Sequence, residues 1–199
     1  KVSVENLSGY DISGHARHKF TSETGVRCVN NIKAALSFSD AVIIAVKPQN
    51  FSELFEAIGK SLEDKLIISV MAGVTLSKLI EKSGSKKVVR VMPNTPALIG
   101  EGMSVYCCSD AVSAEEISLV EMMLSSVGKC LALEEKYMDA VTGLSGSGPA
   151  YVFEFIEALK EGGVGAGLDA KIAYQLAVQT VKGAVELLIE TGEEPSKLR

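Results

Sequence analysis

The chain has 199 residues with 47% hydrophobic and 23% charged side chains, enough to bury one sizeable core or two small ones. Its formal net charge of -5 argues against a nucleic acid or an anionic membrane as partner, because both require clustered cationic side chains. Four cysteines without a CxxC pair favour reduced thiols and a cytoplasmic location, and the longest apolar runs look too short to span a membrane. We therefore expect a soluble protein with a small-molecule ligand.

Short β-branched runs alternate with helical patterns over the first two thirds of the chain. The apolar spacing across residues 51–58 is helical, and Ser113 followed by Glu116 predicts a capping box at the start of another helix. Such alternation predicts an α/β fold with βαβ units and a mainly parallel sheet. The runs predicted as strands are residues 2–5, 41–46, 66–70, 88–92, 103–107 and 129–133.

Beyond Tyr137 the strand signals stop and the pattern becomes helical. Residues 151–160 and 168–191 are predicted as two helices, joined by a glycine-rich segment at 162–167. A helical unit with this much apolar surface and so few residues buries itself poorly, so we expect it to pack against a second copy of the chain.

Two predicted strands run directly into segments suited to a ligand, because ligands of open parallel sheets lie beyond the carboxyl ends of the strands. The second predicted strand is followed by Lys47 and Pro48, although a plain strand-ending turn explains this pair more simply. The third is followed by Ala72 and Gly73, whose small size would let a planar ring or a phosphate approach the backbone. A turn glycine, with Thr75 capping the next helix, is the alternative.

Two further loops carry polar side chains. Asn94 and Thr95 lie between two prolines that stiffen the exit of the fourth predicted strand, a pattern that is also common in ordinary loops. A Gly/Ser loop with Ser145 and Ser147 leads into the helix at Tyr151, where free backbone N–H groups would hold a carboxylate. A flexible linker is the alternative. No spacing of histidine, cysteine or acidic residues predicts a metal site.

Five short segments, in this order along the chain, resemble the pyrroline-5-carboxylate reductase family. They are Ala-Val-Lys-Pro at 45–48, Ala-Gly-Val-Thr at 72–75, Met-Pro-Asn-Thr-Pro at 92–96, Ser-Ser-Val-Gly at 125–128 and Ala-Val-Thr-Gly-Leu-Ser-Gly-Ser-Gly-Pro-Ala-Tyr at 140–151. The resemblance implies NAD(P)H-dependent hydride transfer to the C=N bond of pyrroline-5-carboxylate, the last step of proline synthesis. It also implies a Rossmann-like dinucleotide-binding domain at 1–133 and a helical dimerisation and substrate domain at 134–199, both incomplete.

The resemblance also assigns candidate residues. Glu190, expected near the ring nitrogen of the substrate, and Thr142 are the candidate catalytic residues. Asn94, Ser145 and Ser147 are expected to bind the substrate. The residues expected to bind NADPH or NADH are Asn6, Asn31, Ala45, Val46, Lys47, Pro48, Val70, Met71 and Ala72.

Glu5 bears on the choice between the two cofactors. It ends the first predicted strand, where a carboxylate favours two free ribose hydroxyls and repels a 2′-phosphate. The interpretation therefore keeps NADH open beside NADPH.

The resemblance also predicts a chain truncated at both ends. The family's first strand and phosphate loop would precede Lys1, and its Ser-Pro-Gly-Gly-Thr segment would follow Arg199. The alternatives are another imine or β-hydroxyacid-type reductase that uses NAD(P), or a catalytically silent fragment that self-associates.

Overall fold

The computed structural model describes residues 2–59 and 61–199, which form two compact units. The first unit ends at Gly146 and the second begins at Ser147. All strands of the described chain lie in the first unit, and the second consists of helices. The domain boundary predicted between residues 133 and 134 remains a proposal.

The strands of the first unit form two sheets. They are β1 (Ser8–Gly9), β2 (Arg27–Cys28), β3 (Ala41–Ile44), β4 (Leu66–Ser69), β5 (Val88–Met92), β6 (Gly102–Cys108) and β7 (Gly128–Ala132). β1 and β2 pair in parallel, and the other strands form one sheet in the order β3-β4-β5-β6-β7. Only β5 and β6 run antiparallel in that sheet, so the carboxyl ends of β3, β4 and β5 share one edge.

Most helices begin at a side-chain cap or end at a glycine in the left-handed region. They are α1 (Gly14–Thr24), α2 (Ile32–Ser37), α3 (Phe51–Ile58), α4 (Leu76–Ser83), α5 (Ala114–Ser125), α6 (Met138–Val141), α7 (Gly148–Gly165), α8 (Ala170–Thr191) and α9 (Pro195–Leu198). The predicted capping box is confirmed, because the Ser113 hydroxyl accepts from the Glu116 backbone N–H while the Glu116 carboxylate accepts from the Ser113 N–H.

Alternate side chains of β4 point into apolar layers on opposite faces of the sheet. Ile67 belongs to a cluster that includes Phe55 of α3 and Leu79 of α4. Its neighbour Ile68 belongs to a second cluster, which includes Val120 of α5. The strand is therefore buried on both faces, as expected for a mainly parallel sheet covered by helices.

β6 and β7 approach each other at a point where only glycine fits. Gly102 and Gly128 are register partners, and Gly128 has a φ of 145°. A Cβ atom at Gly128 would lie 2.0 Å from the carbonyl oxygen of Gly102. The start of this strand pair thus requires glycine for both backbone conformation and space.

The helical unit has almost no interior of its own. Ala173 and Ala177 are its buried hydrophobic residues among those described, while Phe153 is 64% exposed and Ile189 68%. α7 and α8 pack closely where Gly163 faces Ala173, since a Cβ at Gly163 would lie 3.1 Å from the Ala173 Cβ. Most of the apolar surface of this hairpin remains open to a partner.

α8 also has the length and composition of a membrane span, which the sequence analysis did not anticipate. It has 22 residues and a mean hydropathy of 1.2 over its most apolar window, 11% of which is buried. Length and composition alone are weak evidence for a span. Lys182 and Glu186 form an ion pair at 3.5 Å within the helix, and charged side chains are costly inside a bilayer.

Most predicted elements are confirmed with small shifts at their ends, and three predictions are wrong. Residues 2–5 are not a strand, because Val4–Asn6 form a 3-10 turn that precedes β1. The predicted Gly/Ser loop begins as a π-helical turn, Thr142–Gly146, that continues α6. The glycine-rich segment is largely helical, because α7 extends to Gly165, where its small residues allow close packing on α8.

Candidate active site

The exits of β3 and β4 lie side by side at one edge of the sheet. Ile44 is the register partner of Ser69, and the Val70 N–H donates to the Ile44 carbonyl at 3.1 Å. The two segments predicted to bind the cofactor, 45–48 and 70–72, therefore leave the sheet next to each other. This placement follows from parallel pairing, which brings successive strand exits to the same edge.

The exit of β3 presents a rigid polar rim. Ala45, Lys47 and Pro48 are exposed, while Val46 is half-buried against the apolar layer. Pro48 begins a 3-10 turn that the Asn50 N–H closes by donating to the Lys47 carbonyl at 2.9 Å. Within residues 2–59 and 61–199, no carboxylate forms an ion pair with Lys47, so its charge is available to a ligand.

The exit of β4 combines a buried anchor with open small residues. The Met71 side chain is buried in the apolar layer, so it contributes only backbone to the edge. Ala72 and Gly73 are exposed, and among the described residues no atom other than those of Gly73 and its two chain neighbours lies within 4 Å of the position where a Gly73 Cβ would stand. Gly73 has a φ of 72°, and Thr75 caps α4 by accepting from the Lys78 N–H at 3.3 Å. Turn formation and capping are thus confirmed, and the open space suits a flat ligand.

Asn94 joins three segments at the exit of β5. Its Oδ1 accepts from the Met103 N–H at 2.8 Å, and its Nδ2 donates to the Ser145 carbonyl at 3.1 Å. Both ends of the amide are therefore engaged within the first unit. The structure brings Asn94 and Ser145 together, as expected for two residues predicted to bind the same substrate. The contact is a hydrogen bond from the Asn94 side chain to the Ser145 backbone, which holds that segment in place.

Thr142 and Ser145 use their hydroxyl groups locally. Thr142 Oγ1 donates to the Met138 carbonyl at 2.8 Å, and Ser145 Oγ donates to the Val141 carbonyl at 3.2 Å. Such bonds to the carbonyl four residues earlier satisfy the two hydroxyl groups within a continued helical segment. Of the backbone N–H groups predicted to be free in this segment, only those at the start of α7 are therefore left to bind an anion.

The remaining predicted residues are exposed or partly exposed. Asn6 lies in the 3-10 turn before β1, and Asn31 caps α2 by accepting from the Lys33 N–H at 2.9 Å. In the helical unit, Ser147 is the N-cap residue of α7 without a side-chain cap bond, and Glu190 is exposed near the end of α8. Across the described part of the chain, no three His, Cys, Asp or Glu side chains are grouped to hold a metal ion.

A buried charge network beside this edge was not predicted. Arg90, in the middle of β5, has a side chain only 5% exposed and donates to Glu135 Oε1 at 3.1 Å. It also lies 3.4 Å from Asp139 Oδ1, and the same Glu135 oxygen accepts from the Leu76 N–H at 2.7 Å. The network ties β5 and the start of α4 to the segment that leads into the π-helical turn. The only sequence signal was a charged residue inside an otherwise apolar strand.

Burial raises the pKa of three successive acidic groups on β6. Burial, followed by the charge of Glu135, raises the pKa of the Cys107 thiol to about 11. Burial and the hydrogen bond to Glu121 raise the pKa of Tyr106 well above its ordinary value. Burial is also the main cause of the raised pKa of Cys108. These groups are therefore neutral near pH 7 and serve the core.

Two family models match successive parts of the chain. Residues 9–73 match a family described as NADP oxidoreductase, coenzyme F420-dependent. Residues 135–199 match the family described as pyrroline-5-carboxylate reductase dimerisation. The first match covers the strand exits of the candidate site up to Gly73, and the second covers the helical unit.

Known proteins resemble the chain over most of its length. A pyrroline-5-carboxylate reductase of Arabidopsis thaliana is 45% identical over 88% of the chain. The match spans 64% of the length of that relative, which is less than two thirds. One of Pisum sativum is 38% identical over 94% of the chain and 69% of the relative. The crystal structure of Plasmodium falciparum pyrroline carboxylate reductase with NADP bound has a TM-score of 0.88 at 34% identity, covering 98% of this chain and 72% of that one. On this likeness in sequence and in fold, the chain belongs to the pyrroline-5-carboxylate reductase family.

Proposed function

We propose that the chain reduces the C=N bond of pyrroline-5-carboxylate to give proline, with NADPH or NADH as the reductant. The observation that supports this most strongly is the open, small-residue edge at Ala72 and Gly73, beside the exposed Lys47 and Pro48. The bound cofactor supplies the hydride, so the protein has to hold two rings at reacting distance and exclude competing orientations.

The residues at this edge have different proposed roles in binding the cofactor and the substrate. The backbone of 45–48 and 70–72 holds the nicotinamide end of the cofactor, because the two segments leave the sheet side by side and small residues let a ring approach. Asn94 positions the Ser145 segment, since its amide binds the backbone on both sides. Ser145 and Ser147 are proposed to contact the substrate carboxylate, and Thr142 and Glu190 to lie near its ring nitrogen.

Filling the open edge tests this proposal. Ala72→Phe places an aromatic ring where the nicotinamide would lie, and we expect kcat/KM for pyrroline-5-carboxylate to fall by about 100-fold or more, because a misplaced ring disrupts alignment. The rate is followed as loss of reduced-nicotinamide absorbance, and cofactor binding as the change in nicotinamide fluorescence. Thermal unfolding shows whether the variant is folded.

Ala132→Phe is the matched control. Ala132 is also exposed, but it lies at the carboxyl end of β7, which is the opposite edge of the sheet because β5 and β6 are antiparallel. We expect its rate to stay within twofold of the unaltered chain. Equal rates for the two variants, or turnover of other cyclic imines but not pyrroline-5-carboxylate, would contradict the proposal.

The helical unit is proposed to be the self-association surface. Its apolar side chains are exposed, and the matching family description names dimerisation. Burial of such a surface against a second copy removes apolar area from water, the main favourable term in association. We also propose a cytoplasmic location, since all four cysteines are free thiols. The two domains are proposed to comprise residues 1–133 and 134–199.

A further inference from the structure

One carboxylate oxygen joins two parts of the candidate site that are far apart in the sequence. Glu135 Oε1 accepts from the Leu76 N–H at 2.7 Å and from Arg90 Nη1 at 3.1 Å. Leu76 begins α4, just after the proposed cofactor edge at Ala72. Glu135 precedes α6 and the π-helical turn Thr142–Gly146, where two of the proposed substrate-side residues lie. The shared oxygen therefore connects the cofactor side of the site to its substrate side.

A buried charge fixes this oxygen on the central sheet. The Arg90 side chain is 5% exposed and that of Glu135 33%, so solvent screens the pair less than a surface pair. Arg90 lies in the middle of β5, where it is the register partner of Ser69 on β4 and of Cys107 on β6. The acceptor of the Leu76 N–H is thus held by a strand that is paired on both sides.

The bond to Leu76 is a directional link between α4 and the segment that leads into α6. The Leu76 side chain also packs against the apolar cluster around Met138, the first residue of α6. Apolar packing has no preferred direction, whereas a hydrogen bond fixes both a distance and an angle. The cap of Thr75 on the Lys78 N–H lies within α4 and its first turn, so it does not set the distance to α6.

The segment after Glu135 is fixed in turn. Met138 is fully buried, and its carbonyl accepts from Thr142 Oγ1 at 2.8 Å. Further along, the Ser145 carbonyl accepts from Asn94 Nδ2 at 3.1 Å. A displacement of Glu135 relative to β4 would therefore be passed on to the turn that contains Thr142 and Ser145.

We infer that Glu135 is a positioning residue, whose carboxylate holds the loop after β4 and the turn Thr142–Gly146 in a fixed relation to each other. Hydride transfer requires reacting atoms about 3–3.5 Å apart, so a small change in this relation slows it. The inference rests on the proposed function for the roles of the two segments. Glu135 acts through these segments and takes no part in the chemistry.

Leu76→Pro tests the link, because it removes the N–H donor and leaves the pair of Arg90 with Glu135 in place. Leu76 is the first residue of α4, a position that favours proline. Thr75 before it is extended, with φ -78° and ψ 157°, as the residue before a proline should be. Leu76→Ala is the matched control, since it also loses the leucine side chain but keeps the N–H.

A second pair of variants tests the carboxylate itself. Glu135→Gln keeps the volume and weakens both hydrogen bonds, so it should act in the same direction as Leu76→Pro. Glu134→Gln changes an exposed neighbour that pairs with Lys136, and it should behave as the unaltered chain does. Thermal unfolding establishes that each variant is folded before it is compared.

Hydrogen–deuterium exchange of the full chain, with and without NADPH, follows the link without turnover. Because joined segments open together, cofactor binding should slow amide exchange in 70–75 and also in 138–146, the latter by at least threefold. The slowing in 138–146 should persist in Leu76→Ala and be lost in Leu76→Pro, while both variants keep the slowing in 70–75. Equal slowing of 138–146 in the two variants, or none in the unaltered chain, overturns the inference.

Single turnovers with NADPH and excess pyrroline-5-carboxylate separate positioning from stability. Loss of folded molecules lowers the amplitude, whereas misalignment lowers the rate constant at full amplitude. We expect the rate constant of Leu76→Pro to be about tenfold below that of Leu76→Ala, within the roughly 100-fold that a 1 Å misplacement costs. Equal rate constants would overturn the inference. The expected exchange pattern in a chain that does not oxidise NADPH with pyrroline-5-carboxylate would support the inference and contradict the proposed function.

Discussion

Removal of the Glu135 carboxylate leaves the Arg90 guanidinium charged, almost fully buried and without its best partner. Glu135→Ala also removes the acceptor of the Leu76 N–H at the start of α4. Loss of one partner from a buried ion pair costs about 3–5 kcal/mol, and the one-third exposure of Glu135 places the expected cost near the lower end, about 3 kcal/mol. Asp139 is 90% exposed, so Asp139→Ala should cost about 0.5 kcal/mol or less.

A double-mutant cycle isolates the charge pair. Arg90→Met keeps most of the buried volume and removes the charge, so it should cost about 1 kcal/mol in the unaltered background. In the Glu135→Ala background the same change removes an unpaired buried charge and should restore stability. The double variant is therefore expected to lose about 1–2 kcal/mol, well below the additive sum of about 4 kcal/mol.

Urea unfolding, followed by far-UV ellipticity, measures these free energies, and the Glu135→Ala midpoint of thermal unfolding should fall by roughly 6–12 °C. Additive effects in the cycle would refute the view that Arg90 is held by Glu135. A loss for Asp139→Ala as large as that for Glu135→Ala would refute the ranking by exposure.

Three further outcomes are expected. Gly128→Ala should destabilise the chain by about 3 kcal/mol or more in urea unfolding, because the new Cβ would overlap the backbone of Gly102. Gly183→Ala, in an open position on α8, is the control and should be neutral or stabilising. Similar losses of stability in the two variants would contradict this prediction. Phe153→Asp should lower the oligomeric state in analytical ultracentrifugation while Gln179→Asp leaves it unchanged, and the opposite result would exclude this face. Because folding raises the pKa of Cys107 to about 11, its contribution is complete below the unfolded thiol pKa of about 8.5 and is lost as pH rises towards 11. Stability should thus fall between pH 8.5 and 10 less steeply in Cys107→Ala; equal slopes would argue against the shift.

The sequence predicted helices and strands best where the apolar periodicity stopped at a glycine or a proline that ends the element. The helix Phe51–Ile58 and the strand Val88–Met92 match their predictions at both ends, because an apolar pattern stops at Gly59 in one case and at Pro93 in the other. The adjacency of the strand exits followed from parallel pairing. The partner of Arg90 could not be predicted, since Glu135 lies 45 residues away in the sequence and no local pattern connects the two.

Asn94 shows why roles are harder to predict than positions. A polar side chain between two prolines looks available to a ligand, yet three-dimensional packing places the Met103 amide and the Ser145 carbonyl at its two ends. Neither partner is visible as a pattern, because both are backbone groups of distant segments. The two bonds support a proposed role for Asn94 in positioning the segment that carries Ser145, and the substrate contact predicted from the sequence stays a prediction.

The first strand shows how an error in placement changes a functional conclusion. The alternation in residues 2–5 resembled a strand, and this put Glu5 at a carboxyl end, where it would favour NADH. The parallel pair in the structure is Ser8–Gly9 with Arg27–Cys28, so the edge that matters is several residues further along the chain. There the carboxylate of Asp11 accepts a hydrogen bond from the Ser13 N–H. Because Glu5 lies in the 3-10 turn before this pair and not at the end of a strand, the argument that a carboxylate at the strand end favours NADH no longer applies to it.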